Sequence, residues 1–351
     1  MSHRIRDDIV SLLELSARIG RNPLLTQAST GNVSVKDDQL LWVKASGTWL
    51  AHADRQDILT PVDLDSAREA VKRGVDPAKP LINPIHSHTP PSVETALHVV
   101  LPHRIVIHLH SVNVIGWAVR QDGPACLAER LSGLRWRWIP YVRSGLPLAT
   151  AVEHAVCEAP ETEVLILANH GLVVGARNCS QAEALLWEVE RRVAMTPRPV
   201  RKPDLTALGR IAADSDWRLP VNVTIHALAT DPESTRILSG GILYPCQALF
   251  SNSDPASLYR AVPPALLRSE EAHHRGRPFL IVQGRGILAQ PDLSAAEAAT
   301  LKGLAQVIRR IPEYAAVRYL TEHEIAELDM QAYVATSSRY ALFASRTPAG
   351  N

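Results

Sequence analysis

Two short apolar runs constrain this chain more than any other feature, because each leads directly into histidine. Ile105-Val106-Ile107-His108-Leu109-His110 reads as a strand, and residues two apart on a strand point to the same face. His108 and His110 can then reach one point while Leu109 packs on the other side. Val164–Leu167 reads as a second, buried strand that opens into Ala168-Asn169-His170-Gly171. Two imidazoles from a rigid strand and a third from elsewhere form an open-sided site for Zn²⁺ or a similar divalent ion. The fold must therefore bring a strand and a distant turn together.

At 351 residues the chain is long enough for two domains, and 46% hydrophobic residues suffice for a sizeable core. A net charge of +1, from 37 basic and 36 acidic residues, argues against nucleic acid as a partner and favours a small molecule. Cys126, Cys157, Cys179 and Cys246 are scattered with no Cys-x-x-Cys pair, as expected of reduced thiols in a cytosolic protein. Met1–Asp8 is too polar for a signal peptide, and no apolar run approaches the roughly 20 residues that span a membrane. The expectation is a soluble cytoplasmic protein with no membrane partner.

The apolar spacing predicts a helix over Asp7–Ile19. Thr30-Gly31-Asn32-Val33-Ser34-Val35 reads as a turn feeding a strand, and Leu40–Lys44 as another strand opening into Ala45-Ser46-Gly47-Thr48. A helix is expected from Ser92 to Val100, ended by Pro102. A further helix is expected over Ser180–Val193, with Ser180 as N-cap and Glu183 completing a capping box. Thr196–Asp204 carries three prolines and three cations and reads as a linker. The domains expected are 1–195, which carries the histidines, the linker 196–204, and 205–351.

The second half echoes the first. Leu280-Ile281-Val282-Gln283-Gly284-Arg285-Gly286-Ile287-Leu288 parallels Leu165–Val173, and a Ser-x-Ala-Glu-Ala helix start follows each, at Ser180 and at Ser294. Arg285 stands where His170 does, and the second half has no His-x-His. Residues 205–351 are thus expected to form a smaller related α/β domain, a degenerate repeat without metal that serves structure, assembly or the rim of the site.

A metal site needs a group that moves protons. Glu94, just before the histidine strand, is the candidate: a carboxylate that closes the empty metal site and becomes a general base once substrate displaces it. Taken alone, Glu94 is more readily read as a helix N-terminal residue favoured by the macrodipole, and the histidines downstream reverse that balance. His-x-His taken alone is weak, since histidines are often satisfied core residues. His98 and His103 read as helix-face and turn residues, and His86-Ser87-His88, in a proline-rich loop, as part of a lid or substrate-contact segment.

Together, Gly31-Asn32, Ser46-Gly47, Pro91-Ser92-x-Glu94, His108-x-His110 and Asn169-His170-Gly171 resemble the class II aldolase/adducin family, over roughly residues 7 to 195. Leu41–Thr48 and Pro91–Thr95 look most like the rhamnulose-phosphate aldolase domains found fused to a short-chain dehydrogenase, although the C-terminal half here has no Gly-x-Gly-x-x-Gly. The resemblance implies a three-layer α/β domain with a central, mostly antiparallel sheet. It implies His108, His110 and His170 as ligands of Zn²⁺, or of Mn²⁺, Co²⁺ or Fe²⁺, with Glu94 as acid/base. Gly31, Asn32, Ser46, Gly47 and Ser92 would line a phosphate pocket, and Tyr141 would protonate the leaving aldehyde. Val93 stands where family aldolases often have a second serine.

The function so implied is a zinc-dependent aldolase, a carbon–carbon lyase. It would cleave or form a bond in a ketose phosphate or related hydroxy-carbonyl compound through a metal-stabilised enediolate. The same site also suits a 4-epimerase, dehydratase, decarboxylase or Fe-dependent oxygenase. An adducin-like scaffold would be expected to lose the ligands. Lys44 reads as a substrate-anion contact rather than a Schiff-base nucleophile. Family members assemble as tetramers with active sites at subunit interfaces, so a homo-oligomer, dimer or tetramer, is expected.

Overall fold

The computed structural model describes residues 3–78, 89–248, 258–264 and 277–328. The His86-Ser87-His88 segment lies outside them. Contacts divide the chain into two compact units. The first includes the described residues up to Ala118 and Pro124–Ala194, and the second is Val119–Gly123 and Met195–Met330.

The histidine strand, β4 (Ile105–Leu109), is buried at all its positions, so both of its faces are covered. It lies at the centre of a seven-stranded sheet. Its companions are β1 (Asn32–Lys36), β2 (Leu40–Lys44), β3 (Leu59–Asp63), β5 (Trp136–Ile139), β6 (Val164–Leu167) and β7 (Gly171–Ala176). The order is β3-β2-β1-β4-β7-β6-β5, and every neighbouring pair is antiparallel except β5–β6. The mostly antiparallel sheet expected from the sequence is therefore present.

Helices α2 (Leu64–Lys72), α3 (Thr95–Val100) and α6 (Leu146–Glu158) pack together on one face. There Leu97 and Leu101 meet Val106, Leu165 and Val173 of the sheet and Leu148 and Val152 of α6. Burying each such side chain is worth about 1.5–3 kcal/mol, which is what holds a helix as short as α3 in place. On the other face α1 (His3–Gly20) and α4 (Val112–Ala118) pack with α7 (Cys179–Val193). Leu12, Leu15 and Ile19 are the buried side of α1. The first unit thus has three layers.

Three boundaries differ from the sequence expectation. The first helix begins earlier, at His3. The helix expected from Ser92 begins at Thr95, because Ser92 is used in the turn that enters it: its carbonyl takes the Thr95 N–H and hydroxyl, and its own hydroxyl takes the Glu94 N–H. Asn178, not Ser180, caps α7 by accepting the Gln181 N–H. The capping box expected at Glu183 is absent, and that carboxylate pairs with Arg18 instead.

In the second unit, β8 (Phe279–Val282) and β9 (Gly286–Ala289) form a hairpin. A helix follows over Ala295–Ile308, capped by Ser294 with the reciprocal Glu297 contact that its sequence predicts. The hairpin matches β6–β7 in detail. Leu167 pairs with Gly171 and Val282 with Gly286. Asn169 and Gly284 both have left-handed φ, at 51° and 70°. The following residue, His170 or Arg285, returns its N–H to Leu167 or Val282. The Arg285 guanidinium is paired with Asp204, the cap of the helix Leu205–Ala213. Its core gathers Leu208, Trp217, Val262, Leu280, Val282 and Leu288.

Candidate metal centre

The sheet register sets the site. Asn32 on β1 pairs with His108 on β4, and His108 pairs with Val173 on β7, so the three strands meet beside one imidazole. His110 falls one residue beyond the end of β4 rather than on it. The turn between β6 and β7 supplies His170. Asn169 adopts the left-handed conformation there, which asparagine tolerates better than other residues with a Cβ. Gly171 must follow, because a Cβ on it would lie 2.4 Å from the Leu109 carbonyl oxygen. This close approach brings the three rings to centroid distances of 4.9–5.1 Å. Their ligand atoms lie within 4.8 Å of one another, and all three residues are buried.

Glu94 reaches into this triad. Its Oε1 is 3.3 Å from His170 Nε2 and its Oε2 3.4 Å from His108 Nε2. Asn32 Nδ2 donates to Oε2 at 2.6 Å, and the Ser144 hydroxyl reaches Oε1 at 3.4 Å. Burial alone would raise this carboxyl. The charge that His108 and His170 carry when protonated, with a hydrogen bond from His170, outweighs burial and holds it well below the usual carboxylate range. Burial lowers the His108 imidazole to about 4 and takes His110 well below its ordinary value, so both are neutral near pH 7.

His108 Nδ1 lies 3.0 Å from the Leu172 carbonyl, which can only accept. The single proton of the neutral ring is therefore on Nδ1, and Nε2 presents a lone pair. That lone pair makes no hydrogen bond, and the oxygen facing it is a carboxylate. Two electron-rich atoms at this distance in a buried site call for a cation between or beside them. A divalent metal taken up by His108, His110 and His170 meets that need, and the Nδ1 contact is the outer-shell hydrogen bond that metal-ligating histidines ordinarily make.

A buried polar seam positions Glu94. Asn32, Ser34 and Lys36 alternate along β1 and so share a face. Asn32 holds Glu94, the Ser34 hydroxyl meets His98 Nδ1 at 2.7 Å, and the Lys36 ammonium donates to the Leu101 carbonyl. Glu94 and His98 are four apart, one helical turn. His98, read from sequence as a helix-face residue, is fully buried and its ring is lowered to about 3, chiefly by that burial. His103 packs against Gly175.

The remaining predicted residues surround this centre. Gly31, at φ 79°, lies against the His108 carbonyl. A bridge between Ala45 and Pro91 joins the Ser46–Gly47 loop to the Ser92 loop, with the Ser46 N–H on the Pro90 carbonyl and the Ser92 N–H on the Lys44 carbonyl. Tyr141 is half-buried on the β5–α6 connection, three residues before Ser144. The expectation for Lys44 is not met. Its ammonium is buried and donates to the Ser29 and Thr48 carbonyls, so it is committed to the protein's own loops. Sequence reasoning did not single out Ser144 or Gln27, whose amide donates to the His110 carbonyl. Nothing in the local sequence of either signals the contact.

The family model described as Class II Aldolase and Adducin N-terminal domain matches residues 11–196. A curated relative, the uncharacterized oxidoreductase YuxG of Bacillus subtilis (strain 168), is 29% identical over 180 residues, which are 47% of this chain and 26% of that protein. The match thus spans about a quarter of the relative's length. Among solved structures, the N-terminal class II aldolase domain of a conserved protein from Thermoplasma acidophilum is 26% identical, with 53% of this chain and 92% of that chain covered at a TM-score of 0.45. An L-fuculose 1-phosphate aldolase is 18% identical, with coverages of 63% and 92% and a TM-score of 0.39. The family match spans more than half the sequence and includes every residue of the triad and its carboxylate: this chain belongs to the class II aldolase/adducin family.

Proposed function

We propose that the protein is a metal-dependent aldolase, with zinc as the metal, acting on a ketose phosphate or a related hydroxy-carbonyl compound. The observation that carries this reading is the His108 Nε2 lone pair opposed to the Glu94 carboxylate within a triad of buried histidines. His108, His110 and His170 would hold the ion, and Asn32 and the seam behind it aim Glu94. The metal would supply a Lewis acid at a substrate carbonyl oxygen.

The chain's own groups then do the proton work. In the cleavage direction the proton of the substrate's β-hydroxyl passes by way of Tyr141 to the Glu94 carboxylate, the adjacent C–C bond breaks, and an aldehyde leaves. The bonding pair stays on the carbon next to the carbonyl, and Glu94 delivers the proton that carbon needs; in synthesis Glu94 removes it. Tyr141 is proposed to serve the aldehyde oxygen. Gly31, Asn32, Ser46, Gly47 and Ser92 are proposed to line the pocket for the substrate's anionic end. The adducin-like alternative is disfavoured because the three ligands and Glu94 are all present. An oligomer, a cytoplasmic location and a second domain that is a degenerate repeat belong to the same proposal. No described helix is long and apolar enough to cross a membrane.

The test is aldehyde release from a panel of ketose phosphates and free ketoses by zinc-loaded protein. Glu94→Gln should retain zinc and lose activity by about 10²–10⁴-fold, the usual worth of a positioned acid/base. Absence of aldehyde across the panel would remove the aldolase reading.

A further inference from the structure

Glu190 is a buried carboxylate that the chemistry proposed above does not use. It lies on α7 within the buried apolar stripe of Ala182, Leu186, Val189 and Val193. A leucine would continue that stripe, and a carboxylate there is costly unless hydrogen bonds replace its water. Its Oε1 accepts the Ser111 hydroxyl, and its Oε2 accepts the Asn113 amide at 3.0 Å. The Ser111 hydroxyl oxygen in turn takes the Val114 N–H at 3.1 Å, and the Ser111 carbonyl takes the Ile115 N–H at 2.8 Å, so this residue opens α4.

The turn so held directly follows His110. β4 ends at Leu109, and its ladder with β7 stops at the Leu109–Leu172 pair, one residue short of the histidine. From the N-terminal segment, Gln27 donates to the His110 carbonyl at 3.3 Å and the Leu24 carbonyl takes the Val112 N–H at 2.7 Å. From α7, Glu190 supplies two fixed acceptors for the residues either side of Val112. The His110 ring must meet His108 and His170 at centroid distances of 5.1 and 5.0 Å, and any shift of the turn carries the ring with it.

We propose that Glu190 is the positioning residue of His110: it fixes the Ser111–Asn113 turn so that the imidazole stands where the triad can take a metal ion. Its action runs through the backbone of the turn. The inference rests on the metal reading above and extends it to a side chain on α7.

Variants of the 351-residue chain test it through zinc competition titration, the visible spectrum of cobalt(II)-loaded protein and the thermal midpoint of metal-free protein. Asn113→Asp sets two carboxylates face to face. Zinc affinity should fall by about 10–100-fold, the range for lost support behind a ligand, and the cobalt bands should shift. Adding Glu190→Gln exchanges amide and carboxylate: one oxygen still accepts from Ser111, and the new amide donates to the carboxylate placed at position 113. Zinc affinity and cobalt spectrum should return to the wild-type values. Glu190→Leu with Asn113→Leu removes donor and acceptor together, so the thermal midpoint should hold while zinc affinity falls. That apolar pair decides the matter alone if Asn113→Asp does not fold. A swap that restores the thermal midpoint but neither zinc affinity nor spectrum would reveal a merely structural contact and overturn the inference. Wild-type zinc affinity in the apolar pair would overturn it equally. Amide exchange at Val112 and Val114 in metal-free protein should quicken in the apolar pair and recover in the swap; unchanged exchange would show that the carboxylate does not hold the turn. Wild-type protein that takes up no metal would remove the metal reading and this role with it, whereas undiminished metal binding in the variants would remove only the role of Glu190.

Discussion

Gly171→Ala should damage the metal centre without altering any ligand. The new Cβ would stand 2.4 Å from the Leu109 carbonyl oxygen, where ordinary contact begins at 3.4 Å, so β7 must retreat from β4 by 3.4 − 2.4 = 1.0 Å. Both contact partners are backbone, and no side-chain rotation can relieve the clash. Opening a strand spacing of about 4.8 Å by this much breaks the terminal ladder bonds near Leu109–Leu172. Two such bonds at about 0.5–1.5 kcal/mol each, with overpacking of about 1–3 kcal/mol, give a loss of about 2–6 kcal/mol. Because β4 leads into His108 and His110 while the β6–β7 turn carries His170, the same retreat separates the ligands. Zinc affinity should fall by about 10–100-fold, the range seen when support behind a ligand is lost. Urea unfolding of metal-free protein and competitive zinc titration measure the two effects. Gly74→Ala is the control: it has left-handed φ but nothing within 4 Å, so it should cost only about 1–2 kcal/mol and leave zinc binding intact. A Gly171→Ala protein no less stable than this control, with wild-type zinc affinity, would refute the reasoning.

Replacing the Ser34–His98 pair by Ala and Leu together should change stability by no more than about 1 kcal/mol, since both polar partners leave at once. Catalytic rate should nevertheless fall while zinc is retained, because Glu94 loses the rung beside it; an unchanged rate would show that the seam does not position Glu94. Stability should also rise with pH between 7 and 9. Burial lowers Lys36 and Lys44 to about 7 in the folded state, against about 10.4 unfolded, so the unfolded chain binds more protons across that interval. The stabilisation is complete above the unfolded value and is lost as pH falls through the folded one. Lys36→Met should flatten the rise measured by urea titration, and an unchanged slope would show that Lys36 does not contribute.

Much of the site could be read from the sequence because its parts are local. His108 and His110 sit in and just after one strand, the Asn169-His170-Gly171 turn needs its asparagine and glycine for backbone reasons, and Leu40–Lys44 and Val164–Leu167 are strands at the predicted bounds. What could not be read depends on register. That Asn32 would face Glu94, or Ser34 face His98, follows only once β1 is paired with β4 and α3 is laid across them. The reading of Lys44 fails for the same reason: a cation near an anion pocket suggests a ligand contact, and only the packed loops show its ammonium donating to two of their own carbonyls. At Asn178 and Ser180 two residues competed for one cap, and the composition of the segment favours neither. The β8–β9 hairpin and the capped helix after it were legible because their glycine, strand and cap signals are consecutive.

Zinc titration of the metal-stripped 351-residue chain, with the bound metal counted per chain, decides whether the histidine triad is a metal site. One tight site per chain is expected, abolished by His108→Ala and by His170→Ala, and still present in Glu94→Gln. Wild-type protein that takes up no metal, or variants that hold it undiminished, would contradict it.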